Sequence, residues 1–108
     1  MDRRDSMRLR DHMTPELVLA GVTGPDREAV LDAVARSLCQ TVPELDCKAV
    51  WDGLMEREKK TATGLERGVA VPHTTVRGLD RTLLVVAQLA QGVDFGALDG
   101  EPVDLIFM

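Results

Sequence analysis

The 108-residue sequence has very few aromatic side chains: one tryptophan, two phenylalanines and no tyrosine. Proteins that bind single-stranded nucleic acid commonly stack the bases on such rings, and this chain has no platform for that. Clustered cations for a phosphate backbone are missing as well, because acidic residues outnumber basic ones by 18 to 13 and the net charge is -5. We therefore predict an aliphatic core and no nucleic-acid partner.

Long apolar runs are also absent. No stretch approaches the roughly 18 apolar residues of a membrane span, and the N-terminus lacks the apolar segment of a signal peptide. These absences predict a cytoplasmic protein without direct membrane insertion.

Cysteine is scarce. Cys39 and Cys47 form no C-x-x-C pair and are too few for a disulfide framework, so we expect both to be reduced. A zinc site that combines them with His12 and His73 is possible by ligand count. Its spacing matches no compact zinc module, and we predict no metal.

What is present suits one soluble domain. A length of 108 residues and a hydrophobic fraction of 44% are ordinary for a single globular unit. In residues 1–16, arginines and aspartates interleave without an apolar pattern, and we predict a flexible N-terminal segment there. Residues 17–108 are predicted to form the folded domain.

The apolar patterning alternates between strand and helix periods, which predicts an α/β fold. Short β-branched runs and amphipathic stretches predict strands at 17–22, 69–71, 82–89 and 103–108 and helices at 26–40 and 47–58. The charged run 56–60 is predicted to be mostly a solvated helix end. Because the sequence ends within an apolar strand, we expect the domain to lack its C-terminal elements.

One histidine stands where chemistry is expected. In Gly68–His73, a short apolar strand runs into Pro72 and places an imidazole at its end. Near neutral pH one ring nitrogen has a lone pair that can attack phosphorus, accept a proton or bind a metal. From the residues alone, a structural hydrogen-bonding role is favoured over a catalytic one. The chain has no P-loop, dinucleotide fingerprint or nucleophile elbow, so its motifs do not support binding of ATP or a dinucleotide.

Several separated blocks resemble one family, and they occur in its order: Leu54–Glu58, Thr63–Gly64, Gly68–His73, Val93–Gly100 and Val103–Phe107. Together they are similar to the fructose/mannitol-type enzyme IIA domain of the phosphoenolpyruvate-dependent sugar phosphotransferase system. The nitrogen-regulatory branch is the most similar. The resemblance extends over nearly the whole chain from Leu17 onward.

The resemblance implies a mixed β-sheet with helices on both faces and a phosphoryl carrier without metal or cofactor. His73 would accept a phosphoryl group from an HPr-like phosphocarrier, or its nitrogen-branch counterpart, and pass it to an enzyme IIB domain. Arg57 would stabilise the phosphate by a charge-assisted contact, while Thr63 and Gly64 would offer a hydroxyl and a backbone amide. The alternative is a regulatory binding module whose target is controlled by His73 phosphorylation, without sugar transport.

The sequence departs from the family pattern at three places near the site. Ala62 stands where serine is usual, Glu66 replaces a usual glycine, and Thr74 follows the histidine where a smaller residue is common. The family's second histidine belongs after the strand that begins at Val103, beyond Met108. An uncovered last strand would also permit a homodimer.

Overall fold

The computed structural model describes residues 12–79 and 81–108. The described chain begins with a 3-10 turn at Pro15–Leu17. One strand, two helices and three further strands follow: β1 (Val18–Val22), α1 (Arg27–Thr41), α2 (Cys47–Lys60), β2 (Val69–Ala70), β3 (Val86–Val93) and β4 (Val103–Phe107). Of the predicted flexible segment, residues 1–11 lie outside the described part, and Pro15 and Glu16 belong to the turn.

The strands form one mixed sheet in the order β1-β3-β4-β2. β3 runs parallel to β1 and antiparallel to β4, and β4 runs parallel to β2. Ile106 in β4 lies opposite both Ala87 and Ala70, so these three residues cross the sheet in one row. The α/β class, the mixed sheet and the single domain are confirmed.

The helices begin at acidic caps because an Asp carboxylate can accept the free N–H groups of a first turn. Asp26 accepts from the amide of Ala29 at 2.9 Å and begins α1, one residue before the first helical position. Asp46 accepts from the amide of Ala49 at 3.2 Å and begins α2, as predicted. Each cap is worth about 1 kcal/mol of stability.

One face of the sheet carries the core. Ala87 and Leu89 in β3 are buried, whereas Gln88 and Ala90 between them are exposed. The buried face meets the apolar stripes of the helices, which are Val30, Leu31, Val34 and Leu38 in α1 and Val50 and Leu54 in α2. The sequence predicted helices on both faces. Within the described residues the exposed side of β3 has no helical cover, and the second layer is not found.

The third strand begins four residues later than predicted, at Val86 in place of residue 82. Leu83 and Leu84 are apolar because they line a cavity, not because they belong to the strand. At its other end β3 continues through Gln91 and Gly92. Both residues are exposed, so the apolar pattern does not mark this part of the strand.

The two cysteines are bonded to each other, which corrects the expectation that they are reduced. Cys39 lies near the end of α1 and Cys47 opens α2, and their Cα atoms are 5.9 Å apart. Residues 42–45 form a turn between the two helices, which places the end of α1 beside the start of α2. A spacing of eight residues gave no sign of this turn geometry.

Removal of this bond is expected to lower the free energy of unfolding by about 2–3 kcal/mol, since a short loop is closed in the unfolded chain. The comparison is urea denaturation of the oxidised protein, the reduced protein and a Cys39→Ser/Cys47→Ser variant. We expect the variant to have the same free energy of unfolding as the reduced protein, and we expect reductant to leave that value unchanged. Equal stability of all three would contradict a disulfide in the purified protein.

Candidate functional site

His73 is held by its own backbone two residues earlier. The Nδ1 atom of its ring lies 2.9 Å from the carbonyl oxygen of Val71. A carbonyl can only accept, so Nδ1 carries the proton and donates it. Pro72 between them is fully buried, while the histidine itself is exposed. The Nε2 atom is therefore left with the lone pair on an accessible ring.

The segment before the histidine is a tight hairpin. The amide of Val71 donates to the carbonyl of Thr63 at 2.9 Å, and the amide of Leu65 donates to the carbonyl of Val69 at 2.8 Å. Arg67 and Gly68 both have positive φ angles, 58° and 80°, which make the reversal possible. The hairpin thus fixes the start of β2 against the loop that follows α2.

A second loop supports this hairpin through an aspartate. The amide of Arg67 donates to Asp99 Oδ2 at 3.0 Å, and the amide of Glu101 donates to Asp99 Oδ1 at 3.0 Å. These two backbone hydrogen bonds, that from Arg67 first, lower the pKa of the Asp99 carboxyl because they stabilise its charged form. The carboxylate therefore joins the 63–71 hairpin to the turn before β4.

Gly64 is placed where the two loops touch. A Cβ atom at this position would stand 2.9 Å from the Cα of Ala97, so a side chain would push the loops apart. Leu98 next to it donates its amide to the carbonyl of Leu65 at 2.9 Å. The structure explains the glycine by this close approach, and its predicted amide contact to phosphate stays a prediction.

The end of α2 presents one buried and one exposed charge. Glu58 is only 7% exposed, and its Oε2 accepts the hydroxyl of Thr63 at 2.5 Å. Its Oε1 lies 3.5 Å from Nη1 of Arg27 in α1. The 56–60 run is mostly solvated, as predicted, and Glu58 is the exception. Its spacing of four from Leu54, itself four after Val50, is the signal that was available.

Arg57 is exposed and forms no ion pair with the carboxylates that the structure describes. It shares the last turn of α2 with Lys59 and Lys60, where cations offset the partial negative charge of a helix C-terminus. Its guanidinium can therefore turn to an anion without breaking one of these pairs. Its role beside His73 stays a prediction, and so does that of the Thr63 hydroxyl as a phosphate contact.

α2 also controls the residue after the histidine. A Cβ atom built on Gly53 would collide with Oγ1 of Thr74 and stand 3.0 Å from its Cβ. Gly53 lies in mid-helix, where glycine costs up to about 1 kcal/mol relative to alanine. Close packing of the His73 segment on the helix accounts for a glycine at this unfavourable position.

We expect Gly53→Ala to lower the free energy of unfolding by about 1–2 kcal/mol, because overpacking outweighs the gain in helix propensity. Urea denaturation measures this. The matched variant Gly53→Ala/Thr74→Ala removes the colliding hydroxyl and should recover part of the loss, as contacting residues do in a double-mutant cycle. A Gly53→Ala protein more stable than the parent would contradict the packing described here.

A cavity of about 420 Å³ opens beside the imidazole. Its walls are mainly apolar and include Leu54, Val71, Val76 and Leu84. His73 and Arg81 are the ionisable residues among the described lining. The ring therefore stands between solvent and an apolar wall.

The zinc alternative does not survive the pairing of the cysteines, since Cys39 and Cys47 use their sulfur atoms on each other. Across residues 12–79 and 81–108, no three histidine, cysteine, aspartate or glutamate side chains are grouped so as to hold a metal. In the same part of the chain, neither helix has the length and apolar character that crossing a bilayer requires.

Comparison with protein families identifies the class. Residues 11–108 match the model described as "Phosphoenolpyruvate-dependent sugar phosphotransferase system, EIIA 2". The chain belongs to this family, whose members act as components of a phosphotransferase system. The family resemblance stated from the sequence motifs is confirmed.

Individual relatives place the chain near the nitrogen-regulatory branch. It is 37% identical over 102 residues to a nitrogen regulatory protein of Pseudomonas aeruginosa, and the alignment covers 94% of this chain and 66% of the relative. It is 26% identical to the fructose-specific EIIABC component of Bacillus subtilis, which covers 94% of this chain and 16% of that protein. The chain thus spans slightly less than two thirds of the first of these relatives.

Solved structures agree with the fold. The nitrogen regulatory protein IIA-Ntr of Neisseria meningitidis superposes with a TM-score of 0.80 at 26% identity, covering 90% of this chain and 66% of that one. The Escherichia coli complex of enzyme IIAMTL with phosphorylated enzyme IIBMTL matches with a TM-score of 0.71 at 26% identity, covering 88% and 67%.

Proposed function

We propose that His73 is the phosphoryl acceptor and donor of this domain and reacts through Nε2. The observation that carries this proposal is the hydrogen bond from Nδ1 to the Val71 carbonyl, because it directs the lone pair to the exposed nitrogen. A neutral imidazole held in one tautomer needs no general base to become a nucleophile.

In the proposed step, Nε2 attacks the phosphorus of a phosphohistidine on the donor protein. The new N–P bond of His73 forms while the N–P bond of the donor imidazole breaks, and the donor nitrogen keeps the electron pair. Positive charge then develops on the His73 ring, where the Val71 carbonyl accepts the Nδ1 proton more strongly. The reverse sequence on an acceptor protein regenerates neutral His73.

Arg57 is proposed to offset the charge of the phosphoryl oxygens during transfer. Its guanidinium is exposed, has the fork geometry that suits phosphate, and has no described carboxylate to compete. The Gly64 amide is proposed as a further phosphate contact. So is the Thr63 hydroxyl, which would have to release Glu58 before its one proton could be donated to phosphate.

The donor is proposed to be an HPr-like phosphocarrier and the acceptor an enzyme IIB domain. The acceptor is supported by the Escherichia coli complex, in which a similar domain is bound to phosphorylated enzyme IIBMTL. A cytoplasmic location fits both partners. A homodimer remains a further prediction.

A regulatory role is the second candidate, and the nitrogen regulatory relatives favour it. Phosphorylation of an exposed histidine adds negative charge to a partner-facing surface and can switch docking. The two roles share the same phosphorylated residue and differ only in the protein that recognises it.

The test is incubation of the chain with phosphoenolpyruvate, enzyme I and an HPr-like carrier. We expect a mass increase of one phosphoryl group that is lost in acid, as a phosphohistidine requires. Subsequent mixing with an enzyme IIB domain should return the mass to its original value. A chain that stays unmodified with several carriers would overturn the proposal.

A further inference from the structure

Glu58 poses a physical question because a buried carboxylate is costly unless it is well paired. It is 7% exposed, and its ion pair with Arg27 is long at 3.5 Å. Its shortest contact is with the hydroxyl of Thr63, which is itself only 4% exposed. The Thr63 hydroxyl is therefore the main hydrogen-bond partner of the Glu58 carboxylate.

Thr63 leads from Glu58 to the histidine through three successive hydrogen bonds. Its hydroxyl donates to Glu58, and its carbonyl accepts the amide of Val71 at 2.9 Å. The carbonyl of Val71 in turn accepts Nδ1–H of His73 at 2.9 Å. Each bond joins a different segment, so the sequence of contacts runs from the helix α2 to the ring.

Glu58 and Thr63 connect the helices to the hairpin that carries His73. Glu58 belongs to the last turn of a 14-residue helix and also contacts Arg27 at the start of α1. Thr63 is separated from α2 only by Thr61 and Ala62. Fixing the Thr63 side chain therefore fixes the hairpin strand whose carbonyl sets the position of the Val71 amide.

We infer that Glu58 and Thr63 are positioning residues for His73, which hold its ring in the Nδ1–H tautomer through the Val71 carbonyl. The inference deepens the proposed function and rests on it for its catalytic meaning. It assigns to the Thr63 hydroxyl a buried contact that acts through the backbone, apart from any contact with phosphate.

The experiment compares Thr63→Val, which keeps the side-chain shape without the hydroxyl, with Thr63→Ser, which keeps the hydroxyl. Thr41→Val, on the exposed end of α1, is the matched control. ¹⁵N NMR of the ring nitrogens of His73, with the imidazole neutral, reports the tautomer without any phosphoryl donor. The rate of phosphoryl uptake from the carrier is measured separately.

We expect a single Nδ1–H tautomer in the parent, in Thr63→Ser and in Thr41→Val. Thr63→Val should shift most of the ring to the Nε2–H tautomer, in which the exposed Nε2 carries the proton and cannot attack phosphorus. Uptake should slow in proportion, about tenfold when about nine-tenths of the ring is in that form. Glu58→Leu is the second variant and should behave like Thr63→Val. Folding of each variant is checked by circular dichroism and amide spectra.

An unchanged tautomer in a folded Thr63→Val or Glu58→Leu protein would overturn the inference. So would an Nε2–H tautomer in the parent. Loss of the fold in both variants would also overturn it, since the pair would then have a structural role in place of a positioning one. The expected tautomer change in Thr63→Val and Glu58→Leu, together with a parent protein that accepts no phosphate, would support the positioning role and contradict the proposed function.

Discussion

His73→Ala is expected to abolish phosphoryl uptake completely while leaving the domain folded. The ring is exposed, and its one described hydrogen bond is to a backbone carbonyl, so its removal should change the free energy of unfolding by less than about 1 kcal/mol. Without the imidazole no nucleophile replaces it. Mass spectrometry after incubation with the phosphoryl donors measures the effect.

The chain provides its own control because it contains two histidines. His12→Ala should take up phosphate at the rate of the parent. Loss of uptake in His12→Ala with retention in His73→Ala would place the phosphorylated residue elsewhere and contradict the account. Urea denaturation of both variants separates a loss of chemistry from a loss of fold.

Arg57→Ala is expected to slow transfer by about tenfold to a hundredfold without a change in stability. The estimate follows from the loss of one charge-assisted donor to a phosphoryl group that is partly open to water. An exposed arginine without a described ion pair contributes little to folding, so the effect should appear in the transfer rate alone. Rapid mixing with the phosphorylated carrier gives that rate.

Two variants separate a specific contact from general attraction of an acidic partner surface. Lys60→Ala removes a cation from the same helix turn and should slow transfer by less than about threefold, with the effect screened by salt. Arg57→Lys keeps the charge without the fork and should fall between parent and alanine. Equal effects of Arg57→Ala and Lys60→Ala would contradict a specific phosphate contact and indicate that Arg57 is only a solvated cation at the helix end.

Local patterning was sufficient for much of the fold. The caps at Asp26 and Asp46 lie close to where the sequence predicted the helix starts, because an N-cap depends on neighbours in the chain. The predicted strand at 82–89 was wrong in its bounds since the apolar character of Leu83 and Leu84 reflects a cavity wall. An apolar run indicates burial, and both a core strand and a segment that lines a cavity can be buried.

The interior of the site was harder to predict. Glu58 looked like part of a solvated charged run, and only its four-residue spacing from Leu54 marked the buried stripe. Its partner Arg27 is 31 residues away, and such a pairing depends on how the two helices meet. The bond between Cys39 and Cys47 likewise depends on the reversal between the helices.

The position of the histidine was the part that sequence predicted well in outline. An apolar strand that ends at Pro72 was expected to present His73, and the structure has the ring exposed at that point. The tautomer was not accessible from the sequence, since it depends on the carbonyl of Val71 two residues away. The backbone geometry of the hairpin decides which nitrogen is free.

The most direct test of the central claim is to determine which ring nitrogen carries the phosphate. Protein labelled with ¹⁵N in histidine is phosphorylated through the carrier and studied by NMR, where coupling to phosphorus identifies the bonded nitrogen. We expect phosphate on Nε2 of His73 with the proton retained on Nδ1. Phosphate on Nδ1, or on a residue other than His73, would contradict it.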